Sequence, residues 1–218
     1  MGIYIDRGNY DFAQALNSTY VDKSGLISVI NGTLFTTFNR SCVTRARRFG
    51  KSMAANMLCA YYDRSCDSRP LFANLAIGND SSFEKYLNKF PVIKLDITDF
   101  TTMHKDNPNI IDLMQEALKA DVAKAYPSVI PADFQGDFME MLITISLATN
   151  DSFIMVIDEW DAICREFDPS SKVMDAYVNW LRRMFKGSNT PRVFAGIYMT
   201  GILPIKKYNT ESALNNFL

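Results

Sequence analysis

The chain has 218 residues, a formal net charge of -1, and 48% hydrophobic against 22% charged residues. These values are typical of an ordinary soluble protein with one α/β domain over residues 1–218, and they argue against a protein whose whole surface binds polyanions. The sequence has no run of about eighteen uninterrupted apolar residues and begins without a basic segment followed by an apolar one. We therefore expect a cytoplasmic protein that does not span a membrane.

The first half of the chain contains four predicted elements. Residues 23–31 are predicted to form a short helix, and residues 35–44 a strand or extended segment. In residues 52–62, good helix formers with apolar side chains on all sides predict a helix packed under a sheet. Residues 90–98 are rich in β-branched side chains and predict a strand with Asp96 near its carboxyl end.

The second half predicts crossover helices and further strands. Apolar residues recur at helical spacing between Ile110 and Val122 and again between Phe134 and Ile145. The apolar run 153–157 ends abruptly in acids, which is typical of a strand buried on both faces.

A further helix is capped by Ser170 or Ser171 and ends at Gly187, and residues 192–200 predict another strand. Strands separated by helices indicate βαβ units and a parallel sheet whose ligand site lies at the carboxyl ends of the strands.

The segment RARRFGKS, residues 45–52, matches the phosphate-binding pattern GxxxxGK[ST] except at Arg45, which stands in place of the first glycine. In that pattern backbone amides bind phosphates, the lysine reaches the β- and γ-phosphates, and the hydroxyl binds magnesium. The alternative is a GKS triplet that only opens a helix, beside a solvated basic loop. The following helix and three arginines favour an anion site. The expected ATP-binding residues are Arg45, Ala46, Arg47, Arg48, Phe49, Gly50, Lys51, Ser52 and Met53.

Two acids follow the buried strand at its carboxyl end. Asp158 is expected to hold magnesium together with Ser52, while Glu159 orients the attacking water as a general base. The alternative is a strand that ends in a capping Asp and a surface Glu. Thr200 ends the neighbouring strand, where its hydroxyl contacts the γ-phosphate or the water, or bonds only to backbone. The predicted catalytic residues are thus Glu159, Lys51 and Thr200, and the predicted metal ligands are Ser52 and Asp158.

Five blocks of the sequence, in this order, resemble the predicted AAA-ATPase-like family of bacterial and archaeal proteins. They are YVDKSGLI at residues 20–27, TRARRFGKSM at 44–53, PVIKLDIT at 91–98, VIDEWDAI at 156–163, and MTGILPI with SALNNF near the end. In that family an arginine-rich loop takes the place of a glycine-rich one, so Arg45 resembles a family trait. The family's loop usually begins Arg-Pro, whereas this chain has Ala46 after Arg45.

The resemblance implies a three-layer P-loop NTPase of the ASCE/AAA-like type with strand order 5-1-4-3-2. Only four strands can be placed before Leu218, so the last core strand is expected to be missing and the first strand to lie at a sheet edge. We expect a shortened chain, a split gene, or a further C-terminal region or partner chain that completes the sheet. Family members commonly carry a region resembling PD-(D/E)xK nucleases after the ATPase part, which these residues do not contain.

The leading hypothesis is a magnesium-dependent ATPase that regulates an attached or partner effector. The alternative is a nucleotide-binding switch or interaction module that does not hydrolyse ATP. A nucleic-acid-binding fragment that uses Arg45, Arg47 and Arg48 on phosphates ranks last because the chain has little net charge. Asp22 and Lys23 either lie near the nucleotide or cap the helix at residues 23–31, and the cap is the favoured interpretation. Trp160 and Asp161 either shape the site or cap the next helix, and the structural role is the favoured interpretation.

Overall fold

The computed structural model describes residues 2–204 together with Leu214 and Phe217. In this part of the chain the helices are α1 (Tyr10–Leu16), α2 (Gly25–Asn31), α3 (Lys51–Tyr62), α4 (Arg69–Phe72), α5 (Phe83–Tyr86), α6 (Ile97–Met103), α7 (Ile110–Ala125), α8 (Phe138–Thr149), α9 (Ala162–Glu166), α10 (Lys172–Lys186) and α11 (Thr190–Val193). The strands are β1 (Arg40–Thr44), β2 (Val92–Asp96), β3 (Phe153–Asp158) and β4 (Phe194–Gly201), and Ala76–Asn79 forms a 3-10 turn.

The four strands form one parallel sheet in the order β1-β4-β3-β2. This α/β architecture confirms the predicted parallel sheet, and the order is the one expected for the first four strands. Because β3 and β4 are central and buried along their whole length, they consist of nearly continuous apolar runs. Because all four strands are parallel, their carboxyl ends, including Asp96 and Asp158, lie on the same side of the sheet.

Alternate residues of the strands pack into two separate buried clusters. Ile93, Met155 and Ile157 belong to one cluster, with apolar residues of α6–α10. Val92 and Val156 belong to the other, with residues of α1–α5. Both faces of the central strands are therefore covered, which explains why the periodicity of two disappears from their sequence.

Several element boundaries differ from the predicted ones for local reasons. The helix predicted at residues 23–31 begins at Gly25, with Ser24 at the N-cap position. The extended segment predicted at residues 35–44 forms a strand only from Arg40, since Phe35 has a φ of 60°, outside the strand region.

The second crossover helix begins at Phe138 and excludes Phe134. Asp137 and Glu140 form a reciprocal capping box there, a device that stabilises a helix start by about 1 kcal/mol. The hydroxyl of Ser171, one of the two predicted caps, accepts a hydrogen bond from the amide of Met174 at the start of α10. The last strand begins at Phe194 instead of residue 192, because Thr190–Val193 form a helical turn with proline in its first turn.

Within the described residues β1 has one neighbour, β4, and therefore lies at an edge of the sheet. The N-terminal segment does not extend the sheet there, since Ile5 bridges Ile93 of β2 in antiparallel fashion at the opposite edge. The prediction of a missing fifth strand concerns the C-terminal residues, and 205–213, 215, 216 and 218 lie outside the described part of the chain.

Candidate functional site

The residues predicted to act together lie where β1, β3 and β4 end. The loop 45–50 connects β1 to α3, the acids Asp158 and Glu159 end β3, and Thr200 lies near the end of β4. The amide of Arg45 donates to the Gly201 carbonyl at 3.1 Å, and the amide of Trp160 donates to the Thr200 carbonyl at 2.9 Å. These two bonds tie the loop and the end of β3 to β4.

The loop turns sharply before α3. Arg48 and Gly50 both have left-handed backbone conformations, with φ values of 68° and 75°. Glycine adopts this conformation freely, whereas an arginine there costs about 1–3 kcal/mol, a strain that is concentrated at functional sites. Lys51, the first residue of α3, is buried and folds back so that its Nζ donates to the Ala46 carbonyl at 3.3 Å. The lysine thereby closes the loop into a ring.

The inner surface of the ring is rich in hydrogen-bond donors. The backbone N–H groups of residues 46–53 have no acceptor among the described residues. They adjoin the N-terminus of α3, a twelve-residue helix whose dipole places partial positive charge at this end. Amides without acceptors in the described part of the chain, a helix N-terminus and a lysine are the groups from which anion-binding sites are built.

The side chains of the loop are mostly solvent-exposed. Arg45, Arg47, Arg48 and Phe49 are exposed, and so is Ser52 in the first turn of α3, while Met53 is half-buried. Arg45 donates to the Thr44 carbonyl at 3.1 Å, and the guanidinium groups of Arg47 and Arg48 have no acceptor in the described part of the chain. This arrangement is compatible both with contacts to a ligand and with the solvated basic loop, so the roles of the individual arginines stay predictions.

Asp158 is completely buried, and its two carboxylate oxygens differ. Oδ1 accepts hydrogen bonds from the Thr200 hydroxyl and from the amide of Glu159, the latter at 3.1 Å. Oδ2 has no hydrogen-bond partner in the described residues. A buried carboxylate oxygen without a partner is costly, and a cation is one partner that would satisfy it. The reading of Asp158 as a simple helix cap does not fit, because its side chain caps none of the described helices.

Glu159 is held between two cations. Its backbone is left-handed, with a φ of 51°. Oε1 lies 3.2 Å from Lys51 Nζ, and Oε2 lies 2.9 Å from Arg165 Nη1. Burial raises the pKa of Glu159, but hydrogen bonds from Arg165 and Lys51 outweigh burial and leave the pKa below its ordinary value. The residue is thus an ionised, oriented carboxylate and not a free surface glutamate.

Thr200 lies fully buried beside the acids. Its hydroxyl donates to Asp158 and lies 3.3 Å from the amide of Glu159. Thr200 therefore bonds to a side chain as well as to backbone. It positions Asp158 and the turn after β3, which the sequence pattern did not indicate.

Asp96 adds a further carboxylate at the same edge. It stands opposite Asp158 in the register of β2 and β3, and its Oδ1 accepts the Thr98 amide at the start of α6. Burial, followed by the neighbouring charges of Asp158 and Asp99, raises the pKa of Asp96 to about 6. The carboxyl ends of β2 and β3 are therefore crowded with negative charge.

Arg165 and Asp161 form part of the site, although sequence reasoning missed Arg165 and treated Asp161 as structural. Arg165 Nη1 lies 3.0 Å from Asp161 Oδ2, and the same oxygen accepts the amides of Ile202 and Leu203 at 3.2 and 2.9 Å. Asp161 thus ties α9 to the segment after Thr200. The i,i+4 spacing of Asp161 and Arg165 was the available signal, but it does not reveal that Glu159 shares the arginine.

Ser24, and neither Asp22 nor Lys23, stands at the N-cap position of α2, while the alternative place beside the loop 45–50 fits Lys23. The Asp22 carboxylate accepts the amides of Ser24 and Ala76, both at 2.8 Å, and so joins two loops. Lys23 Nζ donates to the Phe49 carbonyl at 3.1 Å, and a Cβ atom on Gly50 would lie 3.2 Å from the same nitrogen. Lys23 therefore holds the loop 45–50 in place from outside.

Comparison with known proteins identifies one family. The model of the family described as predicted AAA-ATPase matches residues 7–210. No curated protein and no solved structure matches the chain. Within the described residues, no helix combines the length and apolar character that a membrane crossing requires.

Proposed function

Because the chain belongs to the family described as predicted AAA-ATPase, we propose that it binds ATP with magnesium at the loop 45–53 and hydrolyses it. The observation that carries the proposal is the 3.2 Å ion pair between Lys51 and Glu159. It joins the lysine of the phosphate-loop motif to the candidate base of the acid motif, across more than a hundred residues of sequence. Two motifs that were identified independently in the sequence are thus in contact at the carboxyl ends of the strands.

In this proposal the loop holds the triphosphate. The unpaired amides of residues 46–53 donate to phosphate oxygens, and Lys51 turns from Glu159 to the β- and γ-phosphates. Arg45, Arg47 and Arg48 add positive charge around the entrance. Gly50 supplies the left-handed turn that directs the amides inward. The carbonyl of Phe49 accepts the hydrogen bond from Lys23.

One observation fits a magnesium ion at the acids: the buried Oδ2 of Asp158 has no partner among the described residues, while Oδ1 is fixed by Thr200. Asp158 and the Ser52 hydroxyl would hold the ion, as oxygen ligands suit magnesium. When bound, magnesium neutralises charge that develops on the phosphate oxygens. Thr200 keeps the Asp158 carboxylate in a single orientation, which makes it a positioning residue in this scheme.

Glu159 supplies the base. It is ionised and fixed, so it can accept a hydrogen bond from a water and take up its proton as that water attacks. Its present contact with Lys51 has to open first, because the lysine is needed on the phosphates. Turnover would then change the state of an effector region, attached to this chain or on a partner that completes the sheet at β1.

A nucleotide-binding switch without hydrolysis is the alternative that one observation favours. Glu159 is engaged by Lys51 on one oxygen and by Arg165 on the other. If both contacts persisted with nucleotide bound, no oxygen of Glu159 would be available for a water. The protein would then bind ATP and release no phosphate.

ATP binding and phosphate release, measured side by side with magnesium, test the proposal. We expect Lys51→Ala to weaken ATP binding by about 100-fold or more, and Glu159→Gln to bind ATP while losing turnover by a similar factor. Lys89→Ala, an exposed lysine before β2 at the other end of the sheet, is the control and should leave both properties unchanged. Binding by the wild type without phosphate release would establish the switch, and absence of binding would overturn the proposal.

A further inference from the structure

We propose that Arg165 is a positioning residue that holds the Glu159 carboxylate when Lys51 moves from it to the nucleotide phosphates. The inference rests on the proposed ATPase function and adds to it a residue that neither motif contains. Arg165 lies in α9, six residues after Glu159.

The contacts assign one cation to each oxygen of Glu159. Lys51 Nζ lies 3.2 Å from Oε1, and Arg165 Nη1 lies 2.9 Å from Oε2. Departure of Lys51 therefore frees Oε1 and leaves Oε2 bound. A carboxylate held by one oxygen, with the other free to accept a hydrogen bond from water, has the arrangement that a general base requires.

Arg165 is itself fixed by Asp161. The Asp161 carboxylate is fully buried, accepts Arg165 at 3.0 Å, and is anchored by the amides of Ile202 and Leu203. The guanidinium thus connects Glu159, which loses its contact with Lys51 in the proposed function, to the anchored carboxylate of Asp161. The link continues to the segment after Thr200, whose hydroxyl holds Asp158.

Burial of the side chains strengthens these ion pairs. The side chains of Lys51, Glu159, Arg165 and Asp161 are 5%, 18%, 19% and 0% exposed. Water screens such a network far less than a surface ion pair, and removal of one member leaves its partner's charge uncompensated. The positive charges of Lys51 and Arg165 balance the negative charges of Glu159 and Asp161 while Lys51 lies beside Glu159. When Lys51 turns to the phosphates, Arg165 is the cation that stays with both carboxylates.

The kinetic test compares Arg165→Gln with Arg165→Lys and with Arg183→Gln. Arg183 serves as the control, because it also pairs with two carboxylates, Asp137 at 2.6 Å and Glu140 at 3.0 Å, but it lies on α10 and its partners lie at the start of α8. We expect Arg165→Gln to lower kcat by about 10- to 100-fold while the Kd for ATP changes less than about threefold, since a misplaced base impairs chemistry and not binding. Arg165→Lys should recover part of the loss.

Two kinetic results would overturn the proposal: an unchanged kcat in Arg165→Gln, or a loss of equal size in Arg183→Gln. Parallel losses of binding and turnover would also overturn it, since they would indicate a role in folding alone. If the wild type itself binds or hydrolyses no nucleotide, the proposed function fails and the role of Arg165 in catalysis fails with it.

A second measurement needs neither nucleotide nor magnesium. The urea midpoint of the ligand-free protein is compared for Arg165→Gln in the wild-type and Glu159→Gln backgrounds, as a double-mutant cycle. A smaller loss in the Glu159→Gln background is expected, because the main partner has already been neutralised. Equal losses in both backgrounds would show that Arg165 and Glu159 are not coupled and would overturn the proposal independently of the kinetics.

Discussion

The phosphate-binding loop and the acidic end of β3 differ in how their polar groups are satisfied. Residues 46–53 have exposed arginines and backbone amides without acceptors in the described chain, whereas Asp158, Glu159 and Asp161 are shielded, and each has at least one carboxylate oxygen held by a neighbouring side chain or amide. In the proposed function the loop obtains its partners from a ligand. The Asp158 carboxylate is oriented before any ligand arrives, which limits the reorganisation that the proposed reaction requires, whereas Glu159 first has to part from Lys51. Each region can be perturbed separately to test this contrast.

The largest effect is expected at the acidic end. Asp158→Asn keeps the Oδ1 acceptor for Thr200 but replaces the unpartnered Oδ2 with an amide group, so a cation ligand is lost. We expect phosphate release to fall by about 100-fold or more and magnesium to stop strengthening ATP binding. Fluorescent-nucleotide titrations with and without magnesium measure this. Asp112→Asn, on the exposed side of α7, serves as control. An unaltered magnesium dependence in Asp158→Asn would remove Asp158 from the metal site.

The crowding of carboxylates predicts a pH-dependent stability. Because the pKa of Asp96 is raised to about 6, the folded protein binds this proton more tightly than the unfolded chain between pH 4 and 6. Stability contributed by the protonated group is therefore lost as pH rises through 6. Asp96→Asn should match the wild type at pH 4 and exceed it by about 1–2 kcal/mol at pH 8, after allowance for partial exposure.

Urea unfolding without magnesium at the two pH values measures this difference, and Asp133→Asn, an exposed acid, controls for net charge. A stability gain that is the same at both pH values would mean that Asp96 is not perturbed by its neighbours.

A smaller effect is expected in the loop. Lys23→Ala removes the donor to the Phe49 carbonyl and so loosens the phosphate-binding ring from outside. A partly exposed charged hydrogen bond of about 1 kcal/mol corresponds to a Kd for ATP about fivefold higher, with kcat unchanged. Equilibrium titration tests it against Lys124→Ala, an exposed lysine of α7. If kcat falls together with the affinity, Lys23 acts on the chemistry and not on the loop alone.

The smallest effect concerns strain. Arg48→Gly relieves the left-handed backbone at φ 68° and should raise the unfolding free energy by about 0.5–1 kcal/mol. Arg47→Gly removes the same charge at a residue without positive φ and should be slightly destabilising. Thermal unfolding of both variants separates strain from charge. Equal shifts in the two variants would contradict stored strain at Arg48.

The sequence predicted the parallel sheet and its buried strands well, because apolar runs such as residues 153–157 carry their own signal. It also predicted that Lys51 and Glu159 would lie together at the carboxyl ends of the strands, since both residues follow strands. Arg165 could not be found in this way. It lies in α9, a helix of five residues that is too short to show periodicity, and it reaches Glu159 through a turn with positive φ. The cap was the favoured of two interpretations of Lys23, because the sequence does not reveal that its acceptor is a backbone carbonyl 26 residues away.

The strand order has a consequence for the synthesis of the chain. β1, which leads into the phosphate-binding loop, pairs in register with β4, so Arg40 meets Ile197 about 150 residues later. At roughly 5–20 residues per second, β1 waits on the order of 10–30 s on the ribosome for its only strand neighbour among the described residues. During that interval the arginine-rich loop has no β4 backbone to hold it. In the proposed function, ATP binding during synthesis can therefore begin only after β4 has emerged.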